Sequence, residues 1–529
     1  MLTLQGVSYT HPNKDTLFTD IHLSVPTGEK VAIVGNNGAG KSTLLKIIAC
    51  ILAPASGIIK TDGQVYYVPQ HYGQYSGLTV AEALHIDKKL KALTAILAGD
   101  TAEENFQWLD DDWTIEERCQ EALAYWEMEG LDLNQPMDTL SGGQKTRVFL
   151  AGIQIHQPSV VLLDEPSNHL DVQSRKRLYD YIANARETLV VVSHDVTLLN
   201  LLDTTHELSK KGISSYGGNY DFYAAQKAIE QEALSQDIRN KEKALRKAKE
   251  TERETMERQQ KLDARGRKKQ EKAGLPTISL KTFQNSAEKS TAKIKGAHAE
   301  KIDNISEELQ SLRKDLPDAD KMKVLFDNST LHQGKILATA KDANFRYGDK
   351  AVWKTALSFQ ILSGERIAIK GPNGSGKTTL IKLLLGNLQP SAGSLTRADF
   401  NSIYIDQDYS LIDNDLTVYQ QLEQFNHGAL QEHEIKMRLS RFLFDKDDWD
   451  KPNRYLSGGE KMRLMLCSLT VSNQPLDVII LDEPTNNLDI QNINILVHAL
   501  KDYKGTLLVI SHDEYFLQQI GVTRTIDLE

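Results

Sequence analysis

The sequence predicts an α/β protein made of two copies of one domain, joined by a long linker of two antiparallel helices. Three observations support this fold class. Four short motifs occur twice in the same order along 529 residues, and buried-type apolar runs precede several of them. A segment of about 110 residues between the copies is dominated by charged and other helix-forming residues. A chain of this length also exceeds the usual size of a single core.

The repeat is recognised from the spacing of its motifs. Each motif of the first copy has a counterpart in the second: Gly35–Ser42 and Gly371–Thr378, Leu140–Gln144 and Leu456–Glu460, Leu163–Pro166 and Leu481–Pro484, Ser193–Asp195 and Ser511–Asp513. Gln70 and Ser141 are 71 residues apart, whereas Gln407 and Ser457 are 50 apart. The first copy therefore contains about 21 extra residues between these landmarks.

The extra residues fall within a tryptophan-containing stretch of the first copy, at about residues 80–130. We predict a helical insertion there, packed by Trp108, Trp113 and Trp126. Whether this insertion also touches a partner stays open. The resulting domains are residues 1–224 and 336–529, with the linker at residues 225–335.

The linker is predicted to consist of two long helices. No glycine or proline occurs from Asp221 to Arg265, and a second helical stretch spans about Ser286 to Leu316. The basic segment at about residues 266–285 would form the tip between them. From Arg239 to Lys301 there are 19 Lys and Arg against 9 Asp and Glu, although the whole chain has a net charge of −10. This asymmetry favours an arm that contacts a polyanion over a solvated connection.

Several classes of protein are excluded by composition. No run of about 18 apolar residues is present, and the N-terminus lacks a secretory pattern. The three cysteines, Cys50, Cys119 and Cys467, are far apart, which argues against a zinc or iron–sulfur centre. We therefore expect a cytoplasmic protein without a membrane span.

The strongest motif is GxxxxGK[ST], which each copy places between an apolar run and a helical stretch. This is the context of a phosphate-binding loop, in which backbone N–H groups and a lysine hold phosphates and a hydroxyl ligates Mg²⁺. The sequence therefore predicts two sites for ATP and Mg²⁺. Their predicted nucleotide ligands are Gly35, Asn36, Asn37, Gly38, Ala39, Gly40, Lys41, Ser42 and Thr43, and Gly371, Pro372, Asn373, Gly374, Ser375, Gly376, Lys377, Thr378 and Thr379.

Each copy also ends an apolar strand with two carboxylates, where function collects in parallel sheets. We predict that the aspartate holds Mg²⁺, that the glutamate polarises the attacking water, and that a histidine after a later strand senses the γ-phosphate. A glutamine after a short strand is a further predicted Mg²⁺ ligand. The predicted catalytic residues are Glu165, Glu483, His194 and His512. The predicted metal ligands are Ser42, Gln70, Asp164, Thr378, Gln407 and Asp482.

A second glycine-rich turn precedes another helical stretch in each copy. The two turns are Ser141, Gly142, Gly143 and Gln144, and Ser457, Gly458, Gly459 and Glu460. Each is a further anion-binding helix N-terminus, distinct from the phosphate loop. Because one domain does not need two such sites for one triphosphate, we predict that each turn caps the nucleotide held by the other copy.

Together these motifs resemble those of the ATP-binding cassette superfamily, including the Leu-Asp pairs at Leu170–Asp171 and Leu488–Asp489. We call the two copies the first and the second cassette. The resemblance implies a head-to-tail sandwich, in which the phosphate loop and acid pair of one cassette meet the glycine-rich turn of the other. It also implies that Tyr9 and Tyr347 stack on adenine, with Phe345 close to the latter.

Within the superfamily the chain resembles the ABC-F group of translation factors. The resemblance is carried by Ser167–Asp171, Thr485–Asp489, Tyr216–Tyr220 and the charged linker. It implies that the linker enters the tRNA exit site of the ribosome and that the partners are ribosomal RNA and tRNA. It also implies a monomer with an intramolecular sandwich. Glu460 stands where glutamine is common in the group.

Other functions were weighed against this one. A ribosome-bound ATPase would either serve translation generally or protect the ribosome from antibiotics, and the sequence leaves both open. An energising subunit of a transporter would need a separate membrane partner, and the long charged linker argues against it. A DNA-repair ATPase of the same superfamily usually has zinc modules or longer helices. A ribosome-recycling ATPase with an iron–sulfur domain is excluded by the cysteine count.

Overall fold

A computed structural model describes the chain apart from residues 13, 15, 210, 211, 273–276, 315–328, 330, 373, 473, 487 and 529. Side chains are in addition left undescribed at residues 263, 266–272, 277–291, 294 and 314. The described residues form two units, one of residues 1–223 with 322–529 and one of residues 224–321. Both cassettes lie in the first unit, and the predicted α/β fold class is confirmed.

The first cassette contains two sheets. Its strands are β1 (Leu2–Thr10), β2 (Thr16–Val25), β3 (Lys30–Val34), β4 (Ser56–Thr61), β5 (Val65–Val68), β6 (Val160–Asp164), β7 (Thr188–Val192), β8 (Thr204–Ser209) and β9 (Gly212–Tyr216). Among the described residues, β2-β1-β4 form an antiparallel sheet and β5-β6-β7-β3-β8-β9 a second one, parallel except between β8 and β9. Because β3, β6 and β7 are parallel neighbours, their carboxyl ends share one edge.

The second cassette repeats this arrangement. Its strands are β10 (Ile336–Asn344), β11 (Arg346–Tyr347), β12 (Lys350–Ala351), β13 (Leu357–Leu362), β14 (Arg366–Lys370), β15 (Ala392–Arg397), β16 (Ser402–Ile405), β17 (Val478–Asp482), β18 (Thr506–Ile510) and β19 (Arg524–Asp527). In its described part, β13-β10-β15 are antiparallel, β11 and β12 form a hairpin, and β16-β17-β18-β14-β19 are parallel.

Helices cover the sheets and form the linker. They are α1 (Lys41–Ile48), α2 (Val80–Ala83), α3 (Asp87–Leu97), α4 (Glu103–Leu109), α5 (Ile115–Tyr125), α6 (Gly142–His156), α7 (Val172–Asn184), α8 (Val196–Leu199), α9 (Tyr220–Lys272), α10 (Thr277–Lys314), α11 (Lys377–Leu385), α12 (Val418–Phe425), α13 (Glu432–Arg441), α14 (Gly458–Ser472), α15 (Ile490–Asp502) and α16 (Glu514–Gln519). In the described parts of the chain, no helix is both long enough and apolar enough to cross a lipid bilayer.

The cores explain why the apolar runs form strands. Every residue of β6 and β7 is buried, as expected for parallel strands that are covered on both faces. In the first cassette Ile33, Leu44 and Leu162 belong to one core that joins the two sheets and α1. Trp353 and Leu380 take part in the corresponding core of the second cassette. The cores therefore fix the strand ends at which the polar motifs lie.

The helical region of the two cassettes is largely common to both. The capping boxes at Thr79 and Thr417 begin α2 and α12, and isolated bridges join Thr79 to Pro136 and Thr417 to Pro452. By this correspondence α5 matches α13, so the segment without a counterpart narrows to α3 and α4. Repeated capping and bridging thus define the insertion more closely than spacing did.

The predicted packing role of the tryptophans is correct only for Trp126, which is 1% exposed. Trp108 and Trp113 are 51% and 47% exposed, so for these two the prediction is wrong. The short helix α4 buries only Leu109 against its surroundings. The ammonium group of Lys88 lies 3.9 Å from the centroid of the Trp108 ring, which leaves that ring on the surface under a cation.

The linker unit consists of α9 and α10. Ile238 on α9 and Leu309 on α10 are buried, and the half-buried positions of both helices recur at intervals of three and four residues. Ion pairs join Lys241 to Glu308 and Arg313 to Glu242 between the two helices. Helix α10 begins at Thr277 instead of near Ser286, because a proline directly before it suits a helix start.

Candidate functional site

The two phosphate loops adopt the geometry that their glycines allow. Gly40 and Gly376 precede α1 and α11 with φ of 97° and 89°, a left-handed conformation that favours glycine. A Cβ at Gly40 would lie 2.7 Å from a methyl carbon of Leu17. The loop therefore needs glycine both for its conformation and for the close approach of neighbouring side chains. Asn373, a predicted ligand in the second loop, lies outside the described residues.

The loop lysines bond to their own loops. Lys41 Nζ donates to the carbonyl oxygen of Gly35 at 2.6 Å, and Lys377 Nζ donates to that of Gly371 at 2.7 Å. Burial lowers the pKa of both lysines, although nearby Glu165 acts in the opposite direction on the pKa of Lys41. Each ammonium group is thus held at the loop, where phosphates would compete with the carbonyl oxygens for it.

The aspartates at the ends of β6 and β17 are held by tyrosines from the neighbouring strands. Tyr67 donates to Asp164 Oδ2 at 2.9 Å, and Tyr404 donates to Asp482 Oδ2 at 2.8 Å. Ser42 Oγ donates to the other oxygen of Asp164 at 2.9 Å. Burial raises the pKa of both aspartates. A hydroxyl next to a carboxylate is the kind of oxygen donor set that Mg²⁺ accepts, so these residues fit the predicted ion.

The next residue of each pair is a glutamate in a strained backbone conformation. Glu165 and Glu483 have φ of 51° and 48°, which is uncommon for residues other than glycine and is often found at functional sites. His194 Nε2 lies 3.2 Å from Glu165 Oε1, and His512 Nε2 lies 3.4 Å from Glu483 Oε1. The turn after the strand therefore aims each glutamate at the predicted histidine.

Burial changes the protonation of these glutamate–histidine pairs. It raises the pKa of Glu165 well above its ordinary range and that of Glu483 to about 7. It lowers the pKa of His194 well below its usual value and that of His512 to about 4. Near neutral pH the histidines are thus uncharged, and a positive charge or a water molecule delivered to the site would favour ionised glutamates.

A cavity of about 490 Å³ lies between the cassettes at the first phosphate loop. The first cassette lines it with Gln70, Glu165, His194 and residues of the loop, and the second cassette with Ser457, Thr485 and Leu488. The side chain of Asp489 from the second cassette accepts a hydrogen bond from the backbone N–H of Asn37 at 2.8 Å. The structure thus brings together the parts that the predicted head-to-tail arrangement requires at this site.

The glycine-rich turns begin α6 and α14 with capping boxes. Ser141 accepts from the backbone N–H of Gln144 at 3.3 Å, and Ser457 accepts from that of Glu460 at 3.3 Å. Burial alone would raise the pKa of Glu460, but hydrogen bonds from Ser457 and Lys451 lower it below its ordinary value. Lys451 Nζ lies 3.1 Å from Glu460 Oε1. A glutamate is therefore tolerated beside an anion site because its charge is paired locally.

The second site receives charges from the first cassette. Arg175 acts on the carboxylate of Glu483 and on His512, and Asp171 acts on Lys377. Tyr347 is 59% exposed, and its hydroxyl lies 3.4 Å from Thr379 Oγ1. Arg175 was not among the predicted residues, because its sequence neighbours carry no phosphate-binding pattern.

Some predicted residues lie away from the cavity walls. Tyr9 packs on the core of the first cassette, with its ring centroid 6.3 Å from that of Phe18, whereas His11 lines the cavity. Gln407 is exposed, unlike its counterpart Gln70, which lines the cavity. The side chain of Tyr9 points to the core because it alternates with Val7 along β1, and His11 follows the end of that strand.

Sequence reasoning also missed the tyrosines that hold the aspartates. A repeated signal was present, because Tyr67 and Tyr404 each stand three residues before the predicted glutamine. Asp489 belongs to a recognised Leu-Asp pair, but only the structure places it across the interface between the cassettes.

Comparison with known proteins places this geometry in context. The ABC transporter family matches residues 18–168 and 354–486. The chain is 34% identical over 538 residues to the putative ATP-binding protein YdiF of Bacillus subtilis (strain 168), covering 97% of this chain and 78% of that protein. It is 31% identical over 545 residues to ABC transporter F family member 5 of Arabidopsis thaliana, covering 97% and 73%.

A further relative carries a functional name. The ribosome protection protein VmlR of Bacillus subtilis (strain 168) is 30% identical over 534 residues, covering 98% of this chain and 85% of that protein. Among solved structures, one named RNase-L Inhibitor matches with a TM-score of 0.60 and 21% identity, covering 98% of this chain and 87% of that one. At this level of identity the structural match supports the fold alone.

Proposed function

This chain belongs to the ATP-binding cassette family, in its F-type group, and hydrolyses ATP, and from that premise we propose that it is a ribosome-bound ATPase. ATP binding closes the cassettes and lets the linker engage the tRNA exit site, and hydrolysis releases it. The observation that carries this proposal is the basic outer surface of the linker. The name of the related ribosome protection protein supports the same partner.

The linker has the surface of a polyanion-binding element. Its half-buried positions face the partner helix, whereas Arg239, Lys243, Arg246, Lys247 and Lys249 on α9 are exposed. Lysine and arginine contacts to phosphates give affinity that does not depend on base sequence, and double-stranded RNA is mostly recognised by its shape. Ribosomal RNA and tRNA are therefore the partners that this surface suits.

Within each ATP site the residues divide into phosphate, metal and water ligands. Mg²⁺, when bound with ATP, neutralises phosphate charge. Ser42 and Asp164 supply oxygen ligands to it, and Lys41 exchanges its carbonyl partners for phosphate oxygens. Glu165 orients and deprotonates the attacking water, with the neutral ring of His194 beside it. The corresponding residues of the second site are Thr378, Asp482, Lys377, Glu483 and His512.

The base of the nucleotide needs an aromatic surface. Because His11 lines the cavity while Tyr9 packs on the core, we assign adenine stacking in the first site to His11. In the second site Tyr347 keeps this role, since its ring is exposed beside the second phosphate loop. Each site takes its signature turn from the other cassette, so the active form is a monomer.

The linker surface gives a direct test of the partner. Replacing Arg246, Lys247 and Lys249 together by glutamine should weaken ribosome binding and lower the salt dependence of that binding by about one logarithmic unit per lost phosphate contact. ATP hydrolysis in the absence of ribosomes should remain unchanged. The matched control replaces the exposed Glu250 and Glu254 of the same helix by glutamine. Unchanged ribosome binding by the basic-residue variant would refute the proposal.

Protection against antibiotics is a narrower form of the same function, and a general role in translation is the alternative. The two differ in one measurable property. A protecting protein should restore peptide synthesis in a drug-inhibited cell-free system, whereas a general factor should act equally with and without drug. A transporter subunit would instead stimulate ATP hydrolysis only with a membrane partner.

A further inference from the structure

The two cassettes differ at one buried position beside the ATP sites. Helix α7 begins after Asp171 and α15 begins after Asp489, with each aspartate capping its helix. Four residues further along, the first cassette has Arg175 and the second has Ile493. Both side chains are buried, at 9% and 7% exposure. A duplicated framework thus carries a guanidinium group in one copy and an apolar side chain in the other.

The segment that holds these residues lies at the interface between the cassettes. Asp489 contacts the first phosphate loop directly through its 2.8 Å hydrogen bond with Asn37. In the same way Asp171 acts on Lys377 of the second phosphate loop. Arg175, one helical turn further, therefore faces the second site. The charged and titratable second-cassette groups that its charge affects are Glu483, His512 and Asp513.

The guanidinium group of Arg175 retains unused bonding capacity. Its Nε atom is buried and has no hydrogen-bond partner among the described residues. A buried, unsatisfied charged donor is costly unless a partner is supplied in another state of the protein. Guanidinium groups pair well with carboxylates and phosphates because their N–H groups form a planar fork. The nearby anions are the Glu483 carboxylate and the phosphates that would occupy the second loop.

We propose that Arg175 is a positioning residue of the second ATP site, supplied by the first cassette, and that it holds the Glu483 carboxylate when the cassettes close. The first site has Ile493 at the matching position. The two sites are therefore inequivalent, and the second depends on a cation from the opposite cassette. This inference rests on the proposed role of Glu483 as the residue that activates water.

The test measures turnover by the full chain and by a Glu165→Gln chain, in which the second site is the one with its glutamate intact. In the Glu165→Gln chain, Arg175→Ile should lower kcat about tenfold or more, by analogy with the loss of one preorganised donor. KM for ATP should change less than about twofold, because the lost contact orients the carboxylate and not the bound nucleotide. Arg175→Lys should restore part of kcat. In the full chain, Arg175→Ile should remove the share of turnover that the second site contributes.

Lys176→Ile is the matched control, because it removes an exposed cation from the same helical turn and should leave kcat unchanged. Thermal unfolding of each variant checks that the fold is intact. Equal losses in the isoleucine and lysine variants with KM rising in parallel would indicate packing alone and overturn the proposal. A kcat within about twofold of the parent would also overturn it. Turnover that persists after Glu165 and Glu483 are both replaced by glutamine would instead refute the role of Glu483.

Discussion

The buried glutamate of the second site should make the stability of the nucleotide-free chain depend on pH. The pKa of Glu483 is raised by burial to about 7 in the folded protein, against an ordinary value of 4.5. The folded state therefore retains a proton between these two pH values that the unfolded state releases. The free energy of unfolding consequently falls as pH rises through this window. Replacing Glu483 by glutamine removes the titrating group and this loss.

The size of the effect follows from the pKa difference. One pKa unit corresponds to about 1.4 kcal/mol, so Glu483→Gln should stabilise the folded chain by about 3 kcal/mol at pH 8. At pH 5, where the glutamate is protonated in the folded state, the gain should be about 1 kcal/mol or less. The Glu483 side chain is 15% exposed, so solvent screening reduces these values only modestly.

Urea unfolding at pH 5 and pH 8, with EDTA and without nucleotide, measures this difference. Glu129→Gln is the control, because Glu129 is an exposed residue outside the site. A stability gain in Glu483→Gln that is the same at both pH values would refute the reasoning, since a pH-independent gain would come from packing or hydrogen bonding. So would a gain that is larger at pH 5.

Three further predictions concern particular contacts. Asp489→Ala removes a helix cap and the hydrogen bond to Asn37 and should cost about 2 kcal/mol in urea unfolding and weaken ATP binding; unaltered ATP affinity in a nucleotide titration would contradict this. Lys451→Ala leaves the charge of Glu460 unpaired beside the first site and should raise KM for ATP a few-fold in initial-rate assays, whereas an unchanged KM would argue against that pairing. Trp353→Ala should destabilise the second cassette by about 4 kcal/mol, because the ring is 1% exposed in its core; a loss below about 1 kcal/mol by urea unfolding would show that the ring is not tightly packed there.

Much of the fold could be predicted because the motifs mark the ends of buried strands. The runs before Asp164 and Asp482 are continuous apolar sequences, and the structure buries them as parallel strands. The duplicated order of the motifs then predicted two cassettes, and the α/β fold, the membership of the F-type group and the ATPase activity are confirmed. These features depend on local patterns that a sequence displays directly.

The remaining features depend on contacts between distant residues. No local pattern shows that Asp489 reaches Asn37 or that Arg175 faces Glu483, because both contacts arise only when the cassettes pack together. The choice between Tyr9 and His11 depends on where β1 ends, which periodicity does not locate to the residue.

The insertion shows a second reason why prediction from sequence falls short. Its tryptophans were expected to pack inside it, but burial there depends on neighbouring helices as well as on residue type. Trp126 is covered beside α5, while Trp108 and Trp113 lie on the surface near α4. Composition alone therefore predicted helices in this region without predicting which side chains they cover.

The central claim, that ATP closure lets this ATPase bind the ribosome, is tested most directly by sedimentation with ribosomes. The Glu165→Gln, Glu483→Gln chain should retain bound ATP because its water-activating carboxylates are absent. It should sediment with ribosomes in ATP, much less in ADP, and less as salt concentration rises. Failure to sediment with ribosomes in ATP at low salt, or equal binding in ATP and ADP, would contradict the account.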